Sequence, residues 1–501
     1  MRNLILAAAI AFALPAVAQS PAEPTPTTRA MAAGYKALMV CGALKNAEAA
    51  GASRTVESVE ANELVGIYPE LDALVRNMPV EVEGSRVSVA WDDAVPPRTA
   101  VYRPGQGCSI LPVGWTGEPG GEGAPLRPAD IPFFEEAGSA DVLAGLDGPL
   151  TNAVELAFGG GYGEHSSTTA IVVLQDGRLV GEWYAQGFGP DTPQRTWSVA
   201  KSLAGTIIGA AVQRGEVDVN APAAIADWSR EGDPRAAITL DNLMRMASGL
   251  TSDTAGNRTD ALYFGGVGVD EQATTWPLIA APASRFRYAN NDILLAILAI
   301  APTFEEHPPA DLFRTLGMYD TWAETDWRGN YVLSSQVWST ARDLARFGQL
   351  YVGDGVVDGV RILPEGWRDY VSRPSGPQPN GEQGYGATFW LFDKSEGVPT
   401  DAISANGNRG QYVVIVPSRR IVIVRRGEDP AGGRFDHIAF TRDVLAALDQ
   451  AGDANCRRPL ERAAGPAIRA ANALPDSGPD HGRPALRLRR ARQLCSRLAA
   501  H

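Results

Sequence analysis

Ser198 and Lys201 stand three positions apart in the run Ser198-Val-Ala-Lys-Ser202. A serine hydroxyl is a weak nucleophile at its own pKa and needs a neighbouring base, and a lysine can serve if its pKa is lowered enough to hold a neutral amine. Beyond the serine, Leu203, Ile207 and Ala211, flanked by Ile208 and Val212, recur at helical spacing, and Gly215 stands where a C′ glycine closes a helix. Ser198 is therefore expected to open a buried helix, with Lys201 one turn along the same face and the helix N-terminus supplying N–H donors. The chain has only four lysines, Lys36, Lys45, Lys201 and Lys394, which makes a chance pairing with a serine uncommon.

Further segments offer partners for this pair. Tyr288-Ala-Asn290 is a polar turn running into the apolar stretch that begins at Ile293. The phenol can relay a proton between the amine and a leaving group, and the Asn290 amide can accept a lysine N–H and orient a substrate amide. A helix broken by Ser-Gly is expected over Asn242–Leu250, and Gly407-Asn-Arg-Gly-Gln411 leads into a late apolar run. Other hydrolytic schemes lack their signatures, because no G-x-S-x-G occurs and His165, His307, His437, His481 and His501 are scattered outside any local acyl-transfer motif. Without H-E-x-x-H or C-x-x-C, neither a metal nor another cofactor is expected.

These residues need a scaffold. Thr169–Gln175 and Arg178–Tyr184 read as a hairpin about Asp176-Gly177, and Gln411–Val416 and Arg420–Arg425 read as a second about Pro417-Ser418, followed by a helix over Ile438–Leu448. Strands at both ends with helices between them predict an α+β domain, an antiparallel sheet covered by helices, over roughly residues 150 to 450. Short helices over Arg29–Val40 and Val59–Leu64 and strands over Val80–Ala90 and Thr99–Tyr102 predict a structured extension within residues 19 to 149, ending in a Gly/Pro-dense linker. Residues 451 to 501 read as an arginine-rich tail.

Ser198-Val-Ala-Lys-Ser202, Tyr288-Ala-Asn290 and the Gly407–Gln411 segment, in this order and spacing, resemble the serine β-lactamase and penicillin-binding superfamily. The likeness is to its class C-like branch of esterases, D-aminopeptidases and 6-aminohexanoate-dimer hydrolases. It implies a transpeptidase-like fold with an all-helical subdomain, and hydrolysis of a small amide or ester through an acyl-enzyme on Ser198, with Lys201 and Tyr288 as proton-transfer groups. It further implies that the backbone N–H groups of Ser198 and Gln411 form an oxyanion site, and that Asn290, Asn408, Gly410 and Gln411 contact substrate. Where the superfamily has Lys or His leading a K-T-G or H-x-G element, this chain has Asn408-Arg-Gly410, which argues against recognition of a β-lactam carboxylate. Trp197, Tyr385, Phe389 and Trp390 are candidates for an acyl pocket or for core. Two rival readings are a peptidase or β-lactamase acting on peptidoglycan or β-lactams, and a non-catalytic binding module on the same fold.

The remaining features bear on location. Met1-Arg-Asn, an apolar run from Leu4 to Leu14 and Ala16-Val-Ala18 match a secretory signal over residues 1 to 18, so a periplasmic or secreted protein is expected. An oxidising compartment favours disulfides, and loop closure favours Cys41 with Cys108 and Cys456 with Cys495. A net charge of -13 argues against nucleic acid as a partner, and no later apolar run is long enough to span a bilayer.

Overall fold

A computed structural model of the protein describes residues 23–120, 149–251, 259–374 and 376–463. The expected signal, the part of the Gly/Pro-dense linker after Gly120 and most of the arginine-rich tail lie outside the described residues, as does the partner proposed for Cys456.

The frame is a seven-stranded antiparallel sheet in the spatial order Gly384–Tyr385, Trp390–Leu391, Ile403–Gly407, Gln411–Val416, Ile421–Gly427, Thr168–Gln175 and Arg178–Tyr184. Both expected hairpins form, and the first turns through Asp176 and Gly177 with positive φ at each residue. The late hairpin zips onto the early one, with Val422 opposite Leu174 and Val424 opposite Val172.

The central strands are near-continuous apolar runs because both faces of the sheet are covered. Side chains alternate along a strand, so Val172, Leu174, Val413, Ile415, Val422 and Val424 enter one core, while Ile171, Val173, Val414, Val416, Ile421 and Ile423 enter the other. The second core is closed by the helices Pro149–Phe158 and His437–Ala463. The last helix thus runs past the Leu448 boundary expected from sequence and includes Cys456. The first core lies under the helices Val199–Gln213, Asn290–Ala299 and Ala341–Val352, among short helices between residues 240 and 315 that match the expected helical subdomain. The α+β architecture of a β-lactamase/transpeptidase-like fold is therefore the one the chain adopts.

The N-terminal extension is no separate unit. Its helix Pro26–Ala49 is buried almost throughout from Ala32 to Ala43, and its side chains belong to the same core as the helix Val199–Gln213. The segment read as one strand over Val80–Ala90 is a tight hairpin, Val80–Glu83 with Arg86–Val89, inside a four-stranded sheet completed by Arg98–Arg103 and Gly107–Ile110. Cys41 and Cys108 form a disulfide, as expected from sequence, and join this helix to the last strand of that sheet. Polar ties to the rest of the chain accompany the packing: the Cys108 N–H donates to Glu324 at 2.9 Å and Arg98 donates to the Phe264 carbonyl at 3.0 Å. No helix among the described residues is long and apolar enough to cross a membrane.

Candidate active site

Ser198 occupies the N-cap position of the helix Val199–Gln213, a place where a serine hydroxyl ordinarily bonds to a backbone N–H of the first turn. Here it makes no such bond. Its hydroxyl is turned instead to Lys201 Nζ, 2.9 Å away, and to the phenol of Tyr288. The residue before it, Trp197, holds a left-handed backbone with φ 49°, a conformation that costs about 1–3 kcal/mol and persists only where surrounding structure imposes it. That structure includes the short strand Gln194–Arg195, paired with Trp338 and Ser339, and the bond from Thr196 N–H to the Val337 carbonyl at 2.8 Å.

Lys201 is 1% exposed, and its Nζ also lies 2.6 Å from Asn290 Oδ1 and 2.8 Å from the Ser334 carbonyl. Both of these oxygens can only accept. A neutral amine has two N–H bonds and one lone pair, so donating to Asn290 and Ser334 leaves the lone pair for the Ser198 hydroxyl proton. Burial, followed by the charge of Arg195, holds the Lys201 pKa well below its ordinary value, which favours that neutral form. Arg195 is itself 2% exposed, stacks on Trp197 at 3.8 Å and donates to Ser335 Oγ at 2.9 Å; no carboxylate lies within ion-pair distance of it among the described residues.

Tyr288 and Asn290 bracket the start of the helix Asn290–Ala299, so one chain turn delivers both to the lysine. Lys201 Nζ lies 5.1 Å from the centre of the Tyr288 ring, and desolvation raises the phenol pKa, keeping the proton on the oxygen at neutral pH. Tyr385 and Trp390 pack on Tyr288 with ring centres 5.9 and 5.5 Å away, whereas Phe389 belongs to the core against Phe347 and Tyr351.

The third segment approaches the serine from the end of an interior strand of the sheet. A Cβ on Gly407 would sit 2.4 Å from the Thr196 carbonyl oxygen and 3.2 Å from Ser198 N, so only glycine lets this strand end press so closely on the nucleophile turn. Asn408–Gly410 then form a tight turn, with Arg409 left-handed at φ 57°. Asn408 is exposed, and its side chain accepts from its neighbour's N–H at 2.9 Å. The Gly410 carbonyl receives Arg425 at 2.8 Å, and the Gln411 side chain receives Arg426 Nε at 2.7 Å while donating to the Arg409 carbonyl at 3.1 Å. Gly410 and the Gln411 side chain are thus spent on the buried arginines of the last strand, and Gln411 pairs with Gly407 in the ladder. Ser198, Lys201, Tyr288 and Asn290 meet at one point, with Gly407 and Asn408 at its rim. Arg195 and the Ser334 carbonyl were absent from the sequence reading: an arginine three residues before the serine carries no motif, and a backbone carbonyl leaves no mark on residue identity.

An antiparallel sheet flanked by helices, with a serine at a helix start beside it and a buried amine against the serine hydroxyl, defines a serine hydrolase acting on amide or ester bonds. The chain belongs to the Beta-lactamase family, whose family model matches residues 157–447. It is 26% identical over 327 residues to the 6-aminohexanoate-dimer hydrolase of Paenarthrobacter ureafaciens, covering 57% of this chain and 80% of that one. Among solved structures it is similar to the D-alanine carboxypeptidase AmpC from Burkholderia cenocepacia, at 19% identity and a TM-score of 0.45 over 62% of this chain and 99% of that one. It is also similar to a mutant class C beta-lactamase, at 11% identity and a TM-score of 0.48 over 63% of this chain and 99% of that one.

Proposed function

We propose that this protein is an exported serine hydrolase that cleaves a small linear amide or ester through an acyl-enzyme on Ser198. The observation that carries the reading is the buried Lys201 amine 2.9 Å from the Ser198 hydroxyl, with both of its N–H bonds directed at fixed oxygens. Lys201 takes the hydroxyl proton as Ser198 attacks the carbonyl carbon, and the electron pair of the C=O bond moves onto oxygen. The Ser198 N–H, at the start of its helix, faces that oxygen, with a second donor from the turn that follows Gly407. Tyr288 returns a proton to the leaving amine or alcohol, and water releases the acyl group by the same route in reverse. Asn290 orients Lys201 and the substrate amide. The similarity to a 6-aminohexanoate-dimer hydrolase favours a linear amide, and the engagement of Arg409 away from Ser198 disfavours a lactam carboxylate. Residues 1 to 18 and the Cys41–Cys108 bridge support export. Incubation with a fluorophosphonate probe followed by peptide mass spectrometry tests the assignment: the adduct falls on Ser198 and is lost in Ser198→Ala. An adduct elsewhere, or none, sinks it.

A further inference from the structure

Lys201 and Arg195 hold consecutive residues of one short segment. Lys201 Nζ donates to the Ser334 carbonyl at 2.8 Å, and the next residue, Ser335, receives Arg195 twice. A terminal guanidinium nitrogen donates to Ser335 Oγ at 2.9 Å, and Nε donates to the Ser335 carbonyl at 3.4 Å. Tyr263 meets the same segment, its hydroxyl 2.6 Å from Ser334 Oγ. The carbonyl that orients the amine is therefore fixed from the side away from Ser198, and the arginine is one of the groups that fix it.

The surroundings of Arg195 leave its charge uncompensated. Its other terminal nitrogen donates to the Met39 thioether of the N-terminal extension at 3.7 Å, and its plane is covered by Trp197, with the Tyr263 ring centre 5.6 Å away. A guanidinium stays charged in proteins, and a thioether, a hydroxyl and a carbonyl are neutral acceptors. Buried among rings and apolar side chains, such a charge acts on its neighbours through a medium that screens it far less than water does. Among the described residues, Arg195 is the charged side chain whose repulsion acts on Lys201. On the arginine's own side, its charge also acts on Glu324 and on the phenols of Tyr35 and Tyr68 in the extension. On the lysine's side the titratable groups are the phenols of Tyr288 and Tyr263, which burial keeps protonated.

We infer that Arg195 is a positioning residue for the general base: by gripping Ser335 it keeps the Ser334 carbonyl on Lys201 Nζ, and it fixes a permanent positive charge behind the amine, so that the Lys201 lone pair stays open to the Ser198 proton. The inference rests on the hydrolase reading for calling Lys201 a base. Without the charge, Lys201 keeps a third proton up to higher pH, and in that form it has no lone pair to offer. Attack by Ser198 then slows at neutral pH and recovers as the pH rises.

Two measurements on the full chain test this, one independent of catalysis. Nuclear magnetic resonance of lysine labelled with carbon-13 at Cε follows the amine directly, since the chain has four lysines and Lys201→Ala assigns one resonance. Arg195→Gln, whose amide can still donate to Ser335 Oγ, should raise the Lys201 midpoint by about one pH unit or more, and Arg195→Lys should leave it near the wild-type value. Arg195→Met takes the place of the glutamine variant if that one does not fold. In stopped-flow acylation by p-nitrophenyl acetate, Arg195→Gln should slow the step about tenfold at neutral pH and regain rate at higher pH. Ser335→Ala, which keeps the charge and loosens the turn, should keep the midpoint and lower the high-pH plateau severalfold. Repeating both measurements with Glu324→Gln in every protein removes the carboxyl that also feels Arg195, and the shift should persist. A Lys201 midpoint that moves as expected, in a protein that takes no fluorophosphonate and is acylated by no ester, would leave the placement of the charge standing and remove the hydrolase reading. A midpoint unmoved in the neutral variants, acylation of Arg195→Gln at the wild-type rate, or an unchanged plateau in Ser335→Ala would overturn the inference.

Discussion

Arg409 Nε lies 2.8 Å from Glu428 Oε2, an ion pair in which both side chains are 4% exposed, and the rest of the guanidinium is occupied by carbonyls of the extension. The arginine next to the expected cation position is thereby a clamp between two parts of the chain, its donors occupied.

Removing it leaves Glu428 buried and unpaired. Arg409→Ala should lower the unfolding free energy by about 3–5 kcal/mol in urea titrations. A loss below about 1 kcal/mol, the range of surface pairs, would show that the pair is solvated in solution.

The same geometry bears on β-lactams. With Asn408 at the rim and Arg409 engaged elsewhere, penicillins and cephalosporins should be hydrolysed weakly or not at all, while short p-nitrophenyl esters or linear amides turn over. Efficient hydrolysis of cephalosporins by the wild-type protein would overturn this.

Lys201→Ala should reduce kcat by about 10²–10⁴-fold with the fold intact by circular dichroism. Because the neutral amine is the active form and the Lys201 pKa is depressed, the wild-type acylation rate should rise with pH through a value well below that of a free lysine and then level off. Stopped-flow acylation that is flat over that range would exclude the amine as base.

How much of this site could be read without coordinates follows from its parts. Ser198, Lys201, Tyr288 and Asn290 were legible because each sits at a helix start, where local spacing fixes what faces what. The two hairpins were legible from alternation and turn residues. The turn at Asn408–Gly410 was not legible, because nothing in its residue types announces the left-handed backbone at Arg409. The burial of the extension was not legible at all, because its helix spreads apolar and polar residues around its circumference, burying even Lys36 and Asn46, and gives no amphipathic stripe to say where it packs.

Glu324 shows what that burial does to a charge. Desolvation pushes its carboxyl up to about 8, so folding takes up a proton between the ordinary carboxylate range and that value, and native stability falls as pH rises through this window. The slope is bounded by about 1.4 kcal/mol per pH unit. Glu324→Gln, which keeps the acceptor for the Cys108 N–H, should flatten the pH dependence of urea midpoints between about pH 5 and 8. An unchanged slope would mean that the carboxylate is ionised in the native state.

The Cys41–Cys108 bridge closes a loop with a sequence separation of 67 residues, for which chain entropy predicts about 4 kcal/mol of stabilisation. Thiol titration of native protein should find neither cysteine free, peptide mapping should link them, and reduction should lower Tm. Titratable Cys41 and Cys108 in protein purified without reductant would contradict both the bridge and export.

The sharing of one core between the extension and the hydrolase fold also orders events in time. The helix Pro26–Ala49 leaves the ribosome early, yet the surfaces it must cover include Trp338, and the loop after it holds the turn at Arg409, both of which exist only after most of the chain has been made. Its early apolar residues therefore wait, exposed, for late ones, a high-contact-order arrangement that slows folding and lengthens the interval in which the chain is open to chaperones and to translocation. On the proposed reading of an exported protein, such a delay keeps the chain open for passage across a membrane, since its early helix cannot close the structure alone.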